Sequence, residues 1–177
     1  MKVWITSDQH FYHANILNFT DDEENRIRPG FADVHEMNRY MINRWNSKVA
    51  HEDKVYHLGD IVMKDSAWAF EEIMPQLRGN IVLIKGNHDN AKLHTYTRYF
   101  RDIRSEVALK TSRGRPVIFT HRPVRLPNVG VFNVHGHLHQ RILPDSRYYN
   151  ACVEVQNYEP VLWDDLNAIL DRRVDAV

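Results

Sequence analysis

Residues able to bind metal ions or move protons recur in this chain just after short apolar runs. "SDQH" follows "KVWIT" and offers Asp8 and His10. "GD" follows "KVYHL" and offers Asp60, and "GNHD" follows "NIVLIK" and offers Asn87, His88 and Asp89. His121 follows "PVIFT", while "GHLH" follows "VFNV" and offers His137 and His139. A lone histidine after a strand is usually a surface residue, and a lone Gly-Asp is usually a turn. Five such endings in series are hard to attribute to chance.

The donors Asp8, His10, Asp60, Asn87, His121, His137 and His139 comprise two carboxylates, one amide and four imidazoles. That is too many for one ion, and calcium would want oxygens instead. Two ions sharing a carboxylate fit the count. One would take Asp8, His10 and His139, the other Asn87, His121 and His137, with Asp60 between them. Nitrogen with hard oxygen and no sulfur suits Mn, Fe, Zn, Co or Ni, with Mn or Fe/Zn mixtures favoured. Two divalent ions roughly 3.5–4 Å apart clamp the attacking and leaving oxygens of a phosphoryl displacement and make hydroxide available near neutral pH.

His88 follows Asn87 directly, which makes it the natural general acid for the departing oxygen. Asp89 is expected to hold that imidazole in one tautomer. Asp8 and His10, like His137 and His139, stand two residues apart, so in an extended segment each pair leaves one side of the backbone. Gly136 would let the chain pass close to the site or turn sharply before it. His135, across that glycine, reads as structural or supporting rather than as a ligand.

These residues need elements to position them. The runs "KVWIT", "DKVYHL", "NIVLIK", "PVIFT" and "VFNV" have strand length. Several are too continuously apolar to be half-exposed, which predicts strands covered on both faces. A helix opening at Asp33, with Glu36 three residues on, puts Val34, Met37, Met41, Trp45 and Val49 on one stripe. A second is expected from about Ser66 to Leu77, ended by Arg78-Gly79 and disturbed by Pro75. A third spans roughly Asn90 to Phe100, and a short last one follows Trp163. "TSRGRP" reads as a hairpin turn joining "SEVALK" to "PVIFT", and "ACVEV" reads as a strand enclosing Cys152. Trp45, Trp68 and Trp163 fall on apolar helical patterns and read as core. His35, His51, His57 and His94 read as structural or surface residues. The fold class is α/β with some antiparallel pairing. Ligands in open α/β sheets bind where the loops at the strands' carboxyl ends converge.

At 177 residues, with 43% hydrophobic and 26% charged content, the chain reads as a single domain over 1–177. The apolar run in "MKVWITSD" is too short for a signal-peptide core or a membrane span, and Cys152 is the only cysteine. A cytoplasmic protein without disulfide or thiolate cluster is expected. Net charge is zero, which removes any general attraction to nucleic acid or membrane. The charge is uneven, however. Residues 91–150 carry eleven Lys/Arg against three Asp/Glu. Such a run is either a solvated face or an attractor for an anionic substrate.

The series "DQH", "GD", "GNHD", a later His and "GHLH", in that order, resembles the calcineurin-like metallophosphoesterase superfamily. The flanking "MNRYMINRWN", "HLGD" and "ACVEVQNYEP" look like a small, cap-less bacterial or phage branch. The resemblance implies two central β-sheets packed as a sandwich with helices outside. It also implies hydrolysis of phosphodiesters or phosphomonoesters, typically with Mn, and it matches the ligand assignment above residue by residue. The absence of a cap implies an open site suited to diesters. Arg122-Pro123 after His121 departs from many relatives, and Arg122 would contact the substrate phosphate or form a nearby salt bridge. His13 and Arg28 are further candidates for substrate binding beside Asn87. His13 could equally cap a helix, and Arg28 would clamp phosphate from a cleft wall. The expected partner is a phosphate ester, nucleotides and oligonucleotides included. Two rival readings remain at this point. One is a nuclease for short or single-stranded nucleic acid, which needs a basic groove. The other is a non-catalytic interaction scaffold, which would be free to lose ligands.

Overall fold

The computed structural model describes residues 1–63, 67–127 and 130–174. Its first sheet comprises β1 (Val3–Thr6), β2 (Lys54–His57), β3 (Asn80–Ile84), β4 (Asp102–Arg104) and β9 (Val161–Leu162). The order is β4-β3-β2-β1-β9, with β1 to β4 parallel to their neighbours and β9 antiparallel to β1. The second sheet comprises β5 (Glu106–Lys110), β6 (Pro116–Thr120), β7 (Phe132–His135) and β8 (Tyr148–Asn150) in that order. β5 and β6 form the expected antiparallel hairpin, and β6, β7 and β8 are parallel.

Parallel neighbours require crossovers. Here α1 (Val34–Lys48) and α2 (Ala67–Ile73) link β1 to β2 and β2 to β3. α3 (Leu93–Tyr99) precedes β4, and α4 (Trp163–Val174) closes the chain. The Asp33 carboxylate accepts the Glu36 amide at 2.8 Å, while the Glu36 carboxylate reaches back to the Ala32 amide rather than to that of Asp33. Met37, Met41 and Trp45 are buried on the predicted stripe, together with Ile42. Burying each such side chain contributes roughly 1.5–3 kcal/mol.

Both faces of the first sheet are covered, which explains its unbroken apolar runs. Trp4, Val55, Ile81 and Leu83 pack with α1, α2 and α3 in one core. Their neighbours Ile5, Tyr56, Val82 and Ile84 point the other way, against Val117, Phe119, Phe132 and Val134 of the second sheet and Leu166 and Leu170 of α4. The molecule is therefore the expected sandwich of two sheets with helices outside.

Several elements differ from expectation. α2 ends at Ile73 and continues as a 3-10 turn, Met74–Gln76, because Pro75 cannot extend the α-helical ladder. Its expected start at Ser66 lies outside the described residues. The last helix has 12 described residues rather than a few. "ACVEV" is not a strand. Cys152 makes a single parallel bridge to Ser7, and the chain then turns. Trp68 is not core: α2 buries Ala69, Phe70 and Ile73 and leaves Trp68 47% exposed.

Candidate metal centre

The loops after β1, β2, β3, β6 and β7 meet at one end of the sandwich. The first two run on together beyond their strands. The amides of Asp8, His10 and Phe11 donate to the carbonyls of Gly59, Asp60 and Ile61 at 2.9–3.0 Å. The Val153 amide donates to the Ser7 carbonyl, which ties the second sheet to the first, and the Gly136 amide donates to the His121 carbonyl, which joins the loops after β6 and β7.

Asp8, His10 and His139 can bring one ligand atom each within 4.8 Å of one another, and Asp60, His121 and His137 do the same. The two groups share a border at Asp60. Its Oδ2 lies 3.7 Å from His10 Nε2 and 3.3 Å from His121 Nε2. Asn87 joins the second group, with Oδ1 3.0 Å from His121 Nε2.

The chemistry of these atoms asks for a cation. Asp8 Oδ2 accepts from the Ser7 hydroxyl, the His137 amide and the Cys152 thiol. Its other oxygen, Oδ1, is buried with no hydrogen-bond partner, as is His10 Nε2. The two are 3.6 Å apart. A buried carboxylate oxygen and imidazole nitrogen left unpaired are costly, and a shared metal ion satisfies both. His121 Nδ1–H donates to the Leu58 carbonyl at 2.8 Å, which turns Nε2 toward Asn87 Oδ1 and Asp60 Oδ2. Three electron-rich atoms converge there and need a positive charge between them. Burial alone would lower the pKa of His121, but Asp60 and Asp8 raise it above its usual value. Burial alone would raise Asp8, but the imidazoles of His10, His121 and His139 hold it far below the carboxylate range.

The sequence model of the calcineurin-like phosphoesterase superfamily domain matches residues 30–156. The chain belongs to this superfamily. It is also 33% identical over 181 residues to the uncharacterized protein MJ1445 of Methanocaldococcus jannaschii, covering 97% of this chain and 92% of that one. Among solved structures it resembles the protein of unknown function AQ665 from Aquifex aeolicus, with a TM-score of 0.72 and 23% identity. That likeness covers 95% of this chain and 98% of the other, and speaks for the fold. The family match begins downstream of Asp8 and His10. For those two residues the convergence of loops, rather than the match, places them beside the rest.

The candidate ligand pairs are not extended. Asp8 (φ 62°), His10 (φ 50°), Asp60 (φ 59°), His137 (φ 69°) and His139 (φ 49°) all occupy the left-handed region. Such backbone costs of order 1–3 kcal/mol per residue and persists only where the surroundings enforce it. Alternate residues converge because the loops coil, not because strands continue. The close packing depends on glycine: a Cβ on Gly136 would overlap Ser7 Oγ and Asp8 Oδ2, and one on Gly86 would overlap Asp60 Oδ1.

Two expected roles are corrected. Arg28 is no phosphate clamp, because it is 1% exposed and its guanidinium is fully engaged. Nε and Nη2 pair with Glu154 Oε1 at 2.8 and 2.7 Å, Nη1 donates to the Gln9 carbonyl at 2.6 Å, and Nη2 also donates to the Asp8 carbonyl. Asp89 does not orient His88. Its carboxylate accepts the amides of Asp60 and Gly86 at 2.8 Å and of Ile61 at 3.3 Å, tying the loop after β2 to the loop after β3. Burial raises its pKa above the usual value.

The remaining candidates surround the centre. His88 is half-buried, its ring edge-on to that of His10 at 5.4 Å, and its amide donates to Asp60 Oδ1. Arg122 is exposed and donates from Nη2 to Asn87 Oδ1 at 3.2 Å. His13 makes no side-chain cap to the 3-10 helix Ala14–Asn18. Its ring sits 5.4 Å from those of His10 and Phe19, and burial takes its pKa down to about 4. His135 ends β7, buried, with Nδ1–H donating to the Gly136 carbonyl, and belongs to neither group. His57 is also buried. It accepts from the Gly59 amide, donates to Gln9 Oε1, and is pushed down to about 3 by burial.

Glu154 is the residue that sequence reasoning missed. Its Oε1 accepts from His139 Nδ1–H at 2.9 Å, which leaves His139 Nε2 for the centre, and the same oxygen meets Arg28. Burial would raise this carboxyl, but Arg28 and His139 hold it below its usual value. Glu154 lies in a turn with no motif spacing to His139, so no sequence signal pointed to it.

A cleft of about 610 Å³ opens beside His137 and His139. Asp21, Asp22, Glu23 and Arg141 also line it. The basic segment mostly does not reach it. Arg98, Arg104 and Arg147 pair with Glu71, Asp102 and Asp145 at the surface, as a solvated face would. Among the described residues no helix is long and apolar enough to cross a membrane.

Proposed function

We propose that this chain is a two-metal phosphodiesterase for small substrates. The observation that carries the reading is the Asp60 carboxylate, whose Oδ2 faces a histidine of each ligand group. Asp8, His10 and His139 would hold one ion, and Asn87, His121 and His137 the other, with Asp60 between them and Mn the favoured metal. Divalent ions held this way supply Lewis acidity, activating water and neutralising phosphate charge. The chain's own residues do the rest. His88, half-buried beside His10, donates a proton to the leaving oxygen. Arg122, exposed and steadied by Asn87, holds a phosphate oxygen at the mouth. Arg28, Glu154 and Asp89 keep the loops in place and do not touch substrate.

A long nucleic acid fits poorly, because the cleft wall bears Asp21, Asp22 and Glu23 where a strand's phosphates would run. A scaffold without metal would carry the cost of the unpaired Asp8 Oδ1 and His10 Nε2 for no return. The test is elemental analysis of Mn-saturated protein together with ester hydrolysis. Two ions per chain are expected. Asp60→Ala should deplete both and Asp8→Ala mainly one. Bis-p-nitrophenyl phosphate should be cleaved faster than p-nitrophenyl phosphate. A single ion at saturation would end the two-metal reading, and a clear monoester preference would end the diester assignment.

A further inference from the structure

Trp68 has no role in the core and none in the centre, yet it is placed with care. It stands 4.7 Å from Tyr12, edge-on, and Tyr12 is two residues beyond His10. Tyr12 is itself 7% exposed and meets His35 edge-on at 5.9 Å. The left-handed turn at Tyr12 (φ 64°) sends the chain on to His13. Beside these rings lies a recess of about 540 Å³, lined by Tyr12, His13, Val34, His35, Met63 and Trp68 among others. Among the described residues no Asp, Glu, Lys or Arg lines it. Its volume falls within the range usual for small-ligand sites, about 300–1,000 Å³.

The recess adjoins the centre through His13, which lines it and whose ring lies 5.4 Å from that of His10. One imidazole therefore separates the recess from a metal ligand. An arm leaving the phosphorus could reach it, and what it would meet is aromatic and uncharged. Aromatic side chains with open faces are the usual platform for stacking planar rings, and they do not require a charged partner. A second phosphate would find no cation among the described lining residues.

Resting on the phosphodiesterase reading, we infer that this recess binds a planar aromatic arm of the substrate, an aryl group or a nucleobase. Trp68, 47% exposed, offers the open ring face for stacking, and the buried Tyr12 braces it edge-on. The substrate class is then a small diester with a single phosphate and one aromatic arm.

The experiment compares thymidine 5′-p-nitrophenyl phosphate with methyl p-nitrophenyl phosphate on Mn-loaded protein, so that the leaving group is constant. The thymidine ester should show a KM roughly tenfold lower, as expected of one stacked base. Trp68→Ala should remove most of that advantage while Trp68→Phe keeps it. Thymidine 5′-monophosphate should quench tryptophan fluorescence in the natural protein and much less in Trp68→Phe. Equal KM values for the two esters in the natural protein would overturn the assignment. So would Trp68→Ala weakening both esters alike, because Trp68 would then be structural. Failure to hydrolyse even the methyl ester would instead count against the phosphodiesterase reading itself.

Discussion

His88 and Asp89 are adjacent in sequence and unlike in role. Asp89 is buried and holds three backbone amides, whereas His88 is half-exposed beside His10. If His88 protonates the leaving oxygen, its removal should matter in proportion to how badly that oxygen needs a proton. A nitrophenolate departs without one, and an alkoxide does not. His88→Ala should therefore cost about 10²-fold or more in kcat on alkyl or nucleoside esters, within the usual range for general acids. On nitrophenyl esters the loss should be less than about tenfold. Metal content is measured alongside. An equal loss across the series, with metals retained, would assign His88 to phosphate positioning instead. Asp89→Asn should not share the leaving-group pattern, because its carboxylate does not touch the imidazole.

At the scale of elements, the site is made by loops that strands deliver and buried polar groups hold. The Arg28–Glu154 pair joins the loop before α1 to the turn after β8, and it grips both the Asp8 carbonyl and the His139 ring. Glu154→Gln should lower Mn affinity about 10–100-fold, as loss of a ligand's supporting carboxylate usually does. It should also destabilise the fold by about 3–5 kcal/mol, because Arg28 is left buried without its counter-charge. Arg28→Met with Glu154→Gln separates the two effects. Met37 and Met41 already lie against the guanidinium, so an apolar side chain can pack there and recover much of the stability. Metal affinity, measured by chelator competition, should stay low in the double variant. Unchanged affinity in Glu154→Gln would show that the His139 orientation does not depend on Glu154.

Across the whole molecule, the proposed ligands come from both sheets. Asp8, His10, Asp60 and Asn87 follow strands of the first, and His121, His137 and His139 follow strands of the second. Ions held between them would cross-link the two layers at one end, while Ile5, Tyr56, Phe119 and Phe132 hold them together along the core. Binding to the folded state alone stabilises it by mass action. One ion at a hundred times its Kd contributes about 2.7 kcal/mol, which for a chain of this size is roughly 5–10 °C in Tm. Addition of Mn to chelator-treated protein should therefore raise Tm by at least that much, with a concentration dependence that Asp60→Ala abolishes. A Tm indifferent to Mn would mean that the two groups do not act as a metal centre. The packed loops offset the strain of these five left-handed residues, and ions bound there would offset it further.

The sequence by itself determined the two-layer α/β class and the candidate donor set. Strand runs and the residues that end them are local, and a ligand needs a particular side chain that remains visible as text. It also determined the α1 stripe and the β5–β6 hairpin, since helical period and turn chemistry act over a few residues. What only the tertiary structure decided were relations between distant segments. Arg28 meets Glu154 across 126 residues, and Asp89 meets the loop after β2 rather than its neighbour His88. Trp68 fits a core pattern, but Ala69, Phe70 and Ile73 take the face of α2 that meets the sheet. The left-handed ligand loops were equally unreadable, because non-glycine residues adopt that conformation only when contacts from elsewhere in the fold enforce it. Side-chain type is written in the chain. Whether a charged group faces a cleft or is sealed into a buried pair is decided when the loops close over it.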